Sequence, residues 1–151
     1  MPLFTLFQKK LEEMDKQIAL TITILILISL LFLIAYINSK RIPQKTKERI
    51  FERLKELKIQ TKNHDAYARR DAIIKLDNLL NKAFNLRYSN SDSCGTNLKR
   101  AKPLFDKKQY QQLWNVHKLR NKIVHNDKEV DYEEAKDAYY IYKMCIRKVL
   151  K

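Results

Sequence analysis

The sequence predicts an all-α protein: a single N-terminal transmembrane helix followed by a four- to five-helix up-down bundle. Three observations carry this. Residues 18–37 run without a charge for the length of a bilayer crossing. Beyond them, apolar residues recur at three- and four-residue spacing, with no strand-like alternation. The whole chain of 151 residues holds only one Gly and three Pro, too few turn formers for a sheet-rich domain. Lys and Leu, its two commonest residues, favour helix.

Residues 1–17 read as a short amphipathic arm outside the membrane, with Leu3, Phe4, Phe7, Leu11 and Met14 on one side. Two placements stay open for it: resting at the interface or extending the span. The span itself, Ile18 to Ile37, covers about 30 Å at about 1.5 Å per residue. Thr21, Thr23 and Ser29 can bond their own helix backbone, and Tyr36 falls at the headgroup level. A buried globular helix of this length carries a polar stripe, and this segment has none. The run is too long for a cleaved signal peptide, and no small-x-small site follows it.

Residues 38–63 read as a basic juxtamembrane linker helix. Lys40, Arg41, Lys45, Lys47 and Arg49 follow the span with only Glu48 against them, while the leading arm is neutral. The positive-inside rule therefore predicts a single-pass protein of the cell membrane, with its N-terminus outside and its C-terminal domain in the cytoplasm. Pro43 marks the membrane exit. Ile50, Leu54, Leu57 and Thr61 fall at 4-3-4 spacing, which fits either a short dimerising stalk or a solvated connecting helix.

The bundle is expected over 64–151. Asn63 or Asp65 caps a helix over about 65–86, and residues 87–95 read as loop. Thr96 or Asn97 starts a short helix that Pro103 ends. A long helix spans about 106–125. After a turn at Asn126, Asp131 with Glu134 resembles a capping box for a last helix over 131–150.

The charge lies almost wholly in this second part. The chain has 31 Lys and Arg against 17 Asp and Glu, a net charge of +14, and residues 1–39 sum to zero. Such a field draws polyanions: RNA, DNA or the anionic leaflet of the bilayer. The two cysteines, Cys94 and Cys145, have neither CxxC nor Cys/His spacing, so no metal site is predicted and free thiols in a reducing compartment are expected.

One stretch holds chemistry: Leu113-Trp-Asn-Val-His-Lys-Leu-Arg-Asn-Lys-Ile-Val-His-Asn126. Leu113, Val116, Leu119 and Ile123 share its core face, while Asn115, Lys118 and Lys122 share the opposite, solvated one. Arg120 projects inside the apolar arc, so its guanidinium requires a carboxylate, a carbonyl or an anionic ligand. His117, Asn121 and His125 form a polar stripe beside it at i, i+4, i+8. Histidine moves a proton near neutral pH, and arginine presents a fixed fork to phosphate oxygens. His125 at a helix C-terminus is also favoured by the helix dipole with no catalysis at all. His117 reads more readily as a satisfied boundary histidine than as a ligand, and Trp114 with Tyr132, Tyr139, Tyr140 and Tyr142 as core and interface.

The string Arg120-Asn-Lys-Ile-Val-His125 resembles the signature of the HEPN family (higher eukaryotes and prokaryotes nucleotide-binding). Asp71-Ala-Ile-Ile-Lys-Leu-Asp-Asn-Leu-Leu80 also looks like the first bundle helix of a HEPN-like group, and the resemblance covers about residues 65–150. It implies a homodimeric helical bundle and, in active members, RNA cleavage without metal or cofactor. The roles it implies are His125 as general acid or base, Arg120 as phosphate and transition-state ligand, and Asn121 as the polar member of the motif. His117, Lys118 and Lys122 are the expected RNA contacts. The toxin branch of the family carries a Tyr two residues after the His, where this chain has Asp127. The alternative is a non-enzymatic helical interaction module tethered to the membrane, with Arg120 and His125 as structural contacts.

Overall fold

The structure is a computed structural model describing the backbone of residues 2–39 and 42–151 and, along the first helix, the side chains of 6–8, 10 and 13–37. Among the described residues there are six α-helices and no strand: α1 (Pro2–Ser39), α2 (Gln44–Thr61), α3 (Ala66–Tyr88), α4 (Cys94–Arg100), α5 (Lys107–Asn126) and α6 (Tyr132–Val149), with a 3-10 turn at Lys102–Leu104 after α4. They fall into two compact units, residues 1–41 and 42–151.

The first unit is α1. It is long and apolar enough to cross a membrane, the candidate span covering 32 residues over Leu6–Ile37 with its uncharged part at 18–37. The helix does not break between the arm and the span, which favours the extended placement of the arm. Thr21 and Thr23 donate their hydroxyls to the carbonyls of Gln17 and Ala19, both at 2.8 Å, so neither presents an unsatisfied donor. Lys40 and Arg41, on which the predicted orientation rests in part, lie outside the described residues, as do the side chains of Leu3, Phe4 and Leu11 in the arm.

The second unit is the bundle, with α3 at its centre packing against α2, α4, α5 and α6. Its core runs from Ile73, Leu76, Leu80 and Phe84 of α3 to Leu113 and Ile123 of α5 and Ile146 of α6. The predicted linker helix belongs here, which corrects both its domain boundary and its stalk reading. Ile50, Leu54, Leu57 and Thr61 are all buried, and α2 packs on α3 and α6 of the same chain. A stripe of four side chains is too short for a coiled coil, but it is enough to fill one groove of a bundle. Gln60 adds a hydrogen bond to Asp71 of α3 at 2.6 Å, which helps hold that carboxyl below its ordinary value after the larger effect of Lys75.

The helix ends follow from local chemistry. Asp65 caps α3 by accepting from Tyr67 and Ala68 N–H, and Asn63 accepts from Asp65 N–H in turn. Asp106 caps α5 through Gln109 N–H, and Asp131 caps α6 through Glu134 N–H. The second half of the expected box is absent, because the Glu134 carboxylate pairs with Lys128 instead. The α3–α4 connection is shorter than predicted. α3 runs on through Arg87 and Tyr88, since Arg87 donates to Val149 carbonyl at 2.8 Å and Tyr88 stacks on Phe84. Ser93, rather than Thr96 or Asn97, caps α4. Asn97 is buried and occupied: its amide donates to Asn85 at 2.7 Å and to Asn90 at 3.2 Å.

At one end of the bundle Arg69 ties two connections together. Its Nε donates to Val130 carbonyl at 2.9 Å, and its Nη1 donates to the carbonyls of Asn63 at 2.8 Å and His64 at 2.7 Å. Cys94 and Cys145 are both free and buried.

Candidate functional site

The buried carboxylate of Asp77 organises the polar interior. Asp77 lies on the core-facing stripe of α3, between Ile73 and Leu80, and is 2 % exposed. A charged group there survives only with partners, and three helices supply them. His117 Nδ1 of α5 lies 2.8 Å from Asp77 Oδ1, and Tyr142 of α6 donates its hydroxyl to the same oxygen at 3.0 Å. Because an ionised carboxylate only accepts, the proton of the histidine contact sits on Nδ1. Tyr142 also lies 3.1 Å from Val116 carbonyl, and Cys94 directs its thiol at Asp77 Oδ1 from 3.7 Å.

Arg120 reaches the other carboxylate oxygen. Its Nε stands 3.7 Å from Asp77 Oδ2, an ion-pair distance rather than a hydrogen bond, and its Nη1 donates to Asn121 Oδ1 at 3.1 Å. The side chain is 26 % exposed, so the guanidinium is anchored from the inside and open to solvent on one edge. This is the carboxylate that a cation in the apolar arc of α5 requires. Sequence reasoning missed Asp77 as that partner, although an acidic residue in register with Ile73, Leu80 and Phe84 is a readable signal.

The expected site residues are therefore divided. Arg120 and Asn121 stand together. Lys118 and Lys122 are exposed on the solvated face of α5. His125 is exposed in the last turn, and no side-chain partner of it occurs among the described residues. His117 is corrected: rather than contacting RNA at the surface, it is buried, with Nδ1 committed to Asp77 and its ring edge-on to Trp114. Trp114 itself packs against the core. The end of α5 behind His125 is fixed to α3, because Arg70 pairs with Asp127, the left-handed residue that terminates the helix.

Asp77, Cys94 and His117 offer ligand atoms within 4.8 Å of one another, so a metal deserves a test on geometry. Tetrahedral zinc bonds of about 2.0–2.1 Å separate an imidazole nitrogen from a carboxylate oxygen by roughly 3.3 Å. Here that separation is the 2.8 Å of a hydrogen bond. Burial, and then the neighbouring Asp77, push the Cys94 thiol well above its ordinary range, and its sulfur lies 3.7 Å from Asp77 Oδ1 as a weak donor. The trio is a hydrogen-bond network that braces α3, α4 and α5, and Tyr142 joins α6 to it. Among protein-family models, curated protein sequences and solved structures, none matches this chain.

Proposed function

We propose that the chain is a membrane-anchored domain that binds RNA and cleaves it without a metal ion, as a homodimer, at a site shared by Arg120 and His125 of two copies. The observation that carries this reading is the state of Arg120. It is braced by Asp77 and Asn121 yet keeps an open edge, on the helix that also exposes Lys118, Lys122 and an uncommitted His125. A braced guanidinium is pre-ordered for a phosphate, and a free imidazole is available for proton transfer.

The chemistry follows from these groups. His125 takes the proton of a ribose 2′-hydroxyl, whose oxygen attacks the adjacent phosphorus. The bond to the 5′-oxygen breaks, that oxygen takes up a proton, and a 2′,3′-cyclic phosphate remains. Arg120 balances the charge gathering on the non-bridging oxygens, and Asn121 holds Arg120. The two residues lie about 140° apart around an ideal helix, so one copy does not aim both at one atom, and apposed α5 helices do. The basic flank after α1 orients residues 42–151 toward the cytoplasm, where RNA is present.

The test uses the full chain in neutral-lipid nanodiscs with RNA and EDTA. Cleavage to a cyclic phosphate is expected, falling by about 100-fold or more in Arg120→Ala and in His125→Ala. Mixing the two variants is expected to restore part of the activity, because a mixed dimer keeps one complete site. No cleavage by the wild-type chain, or cleavage that survives both substitutions, overturns the proposal. The Arg120–Asp77 contact within one chain favours the second reading, a non-enzymatic interaction module; there Arg120→Ala lowers stability, His125→Ala changes it little, and no RNA is cut.

A further inference from the structure

Between α2 and α6 the bundle has a groove of about 300 Å³, away from Arg120 and His125. Its floor is apolar, made by Phe51, Leu54 and Tyr139. Its rim is cationic, made by Lys55, Lys58, Lys143 and Arg147. A second depression, of about 530 Å³, shares Lys143 and Arg147 and continues the positive surface to Lys151. No Asp or Glu lines either one.

Some cations elsewhere stand without an ion pair among the described residues, Lys82, Lys99, Lys118 and Lys122 among them, so what sets this surface apart is convergence over an apolar floor. Arg53, Arg70, Lys75, Arg100, Lys128 and Lys136 each pair with an Asp or Glu. None of the four rim cations has a side-chain hydrogen bond or ion pair among the described residues. The acidic residues of α6, Glu133, Glu134 and Asp137, all lie in its first two turns, away from this end. Dipole complementarity accounts for cations in a last helical turn. It does not account for cations from two helices converging over one apolar hollow.

We propose that this groove docks the phosphate headgroups of anionic phospholipids. Charge complementarity and the apolar floor fit a headgroup with the first carbons of its chains. The same chain carries, upstream of Ile42, a helix long and apolar enough to cross a bilayer, so headgroups are present at high effective concentration. A single-stranded RNA groove offers exposed aromatic rings for stacking. Here Tyr139 is buried and Phe51 half-buried, and the exposed Tyr140 lines only the second depression. The inference uses neither Arg120 nor His125 and stands or falls apart from the nuclease reading.

The full chain is reconstituted in nanodiscs of phosphatidylcholine alone, and in discs containing about one-third phosphatidylglycerol. Lysines are pulse-acylated and read residue by residue by mass spectrometry. In the anionic discs Lys55, Lys58 and Lys143 are expected to react about threefold more slowly or less, with Lys82 and Lys99 unchanged. The difference is expected to vanish at about 1 M salt, where the screening length is about 3 Å. In a Lys143→Gln/Arg147→Gln chain that melts like wild type, Lys55 and Lys58 are expected to lose their lipid-dependent protection. Equal rates in both discs, or uniform slowing that includes Lys82 and Lys99, overturn the proposal. Protection that follows added RNA in neutral discs, and not lipid charge, overturns it in favour of a nucleic-acid groove.

Discussion

Replacing Asp77 by alanine tests the account of the bundle interior most directly. The substitution removes the acceptor of His117 Nδ1, and Arg120 Nε then faces no carboxylate. Tyr142 loses less, because Val116 carbonyl remains 3.1 Å from its hydroxyl. A buried hydrogen bond to a charged group contributes about 1.5–3 kcal/mol. The partly exposed Arg120 contact, screened by solvent, adds about 1 kcal/mol at most. Alanine in place of aspartate returns roughly 0.5 kcal/mol through helix propensity. The net cost is about 3 kcal/mol, and for a unit of roughly 100 residues this lowers the melting temperature by about 15 °C. Asp77→Asn keeps an oxygen for His117 and Tyr142 and is expected to lose about half as much. Thermal unfolding followed by far-ultraviolet circular dichroism, on the full chain in detergent, reads both. If Asp77→Ala melts within about 3 °C of wild type, the carboxylate does not hold the helices together and the reasoning fails.

Leu54→Ala checks the placement of α2. Leu54 is 3 % exposed, so the substitution is expected to cost about 2–5 kcal/mol by the same melt, whereas a solvated linker helix shows a change below about 0.5 kcal/mol. The thiols give a pH test. Burial pushes Cys145 up to about 12 and Cys94 higher still, so neither is expected to react with an aromatic disulfide reagent at pH 8 until the chain is unfolded. Because the folded thiols hold their protons where unfolded ones release them, stability is full below about pH 9 and falls above it by about 1.4 kcal/mol per pH unit per thiol. A flat stability profile between pH 9 and 11, or fast labelling of the native chain, contradicts the burial of both.

The parts of the fold read correctly in the sequence depend on neighbours a few residues apart. Asp65 and Asp131 announce their helices because a cap needs only its own next turn. The uncharged run of α1 is decided by composition. What was missed depends on partners far along the chain. α3 passes the expected stop because Arg87 finds Val149, and Asn97 is no cap because Asn85 and Asn90 occupy its amide. The stripe on α2 is visible in the sequence, but whether it faces a second chain, water or its own bundle is decided by α3 and α6. The candidate site divides the same way. Periodicity places Arg120 in the apolar arc and Lys118 and Lys122 in solvent. It does not separate His117 from His125, because the burial of one and the exposure of the other are set by Asp77, 40 residues before His117.

The clasp formed by Arg69 makes one side chain responsible for two hinges of the bundle. The turn leading into α3 and the loop leading into α6 spend their carbonyls on the same guanidinium. Removing that one side chain releases both, so in Arg69→Ala the amide protons of the two connections are expected to exchange faster together.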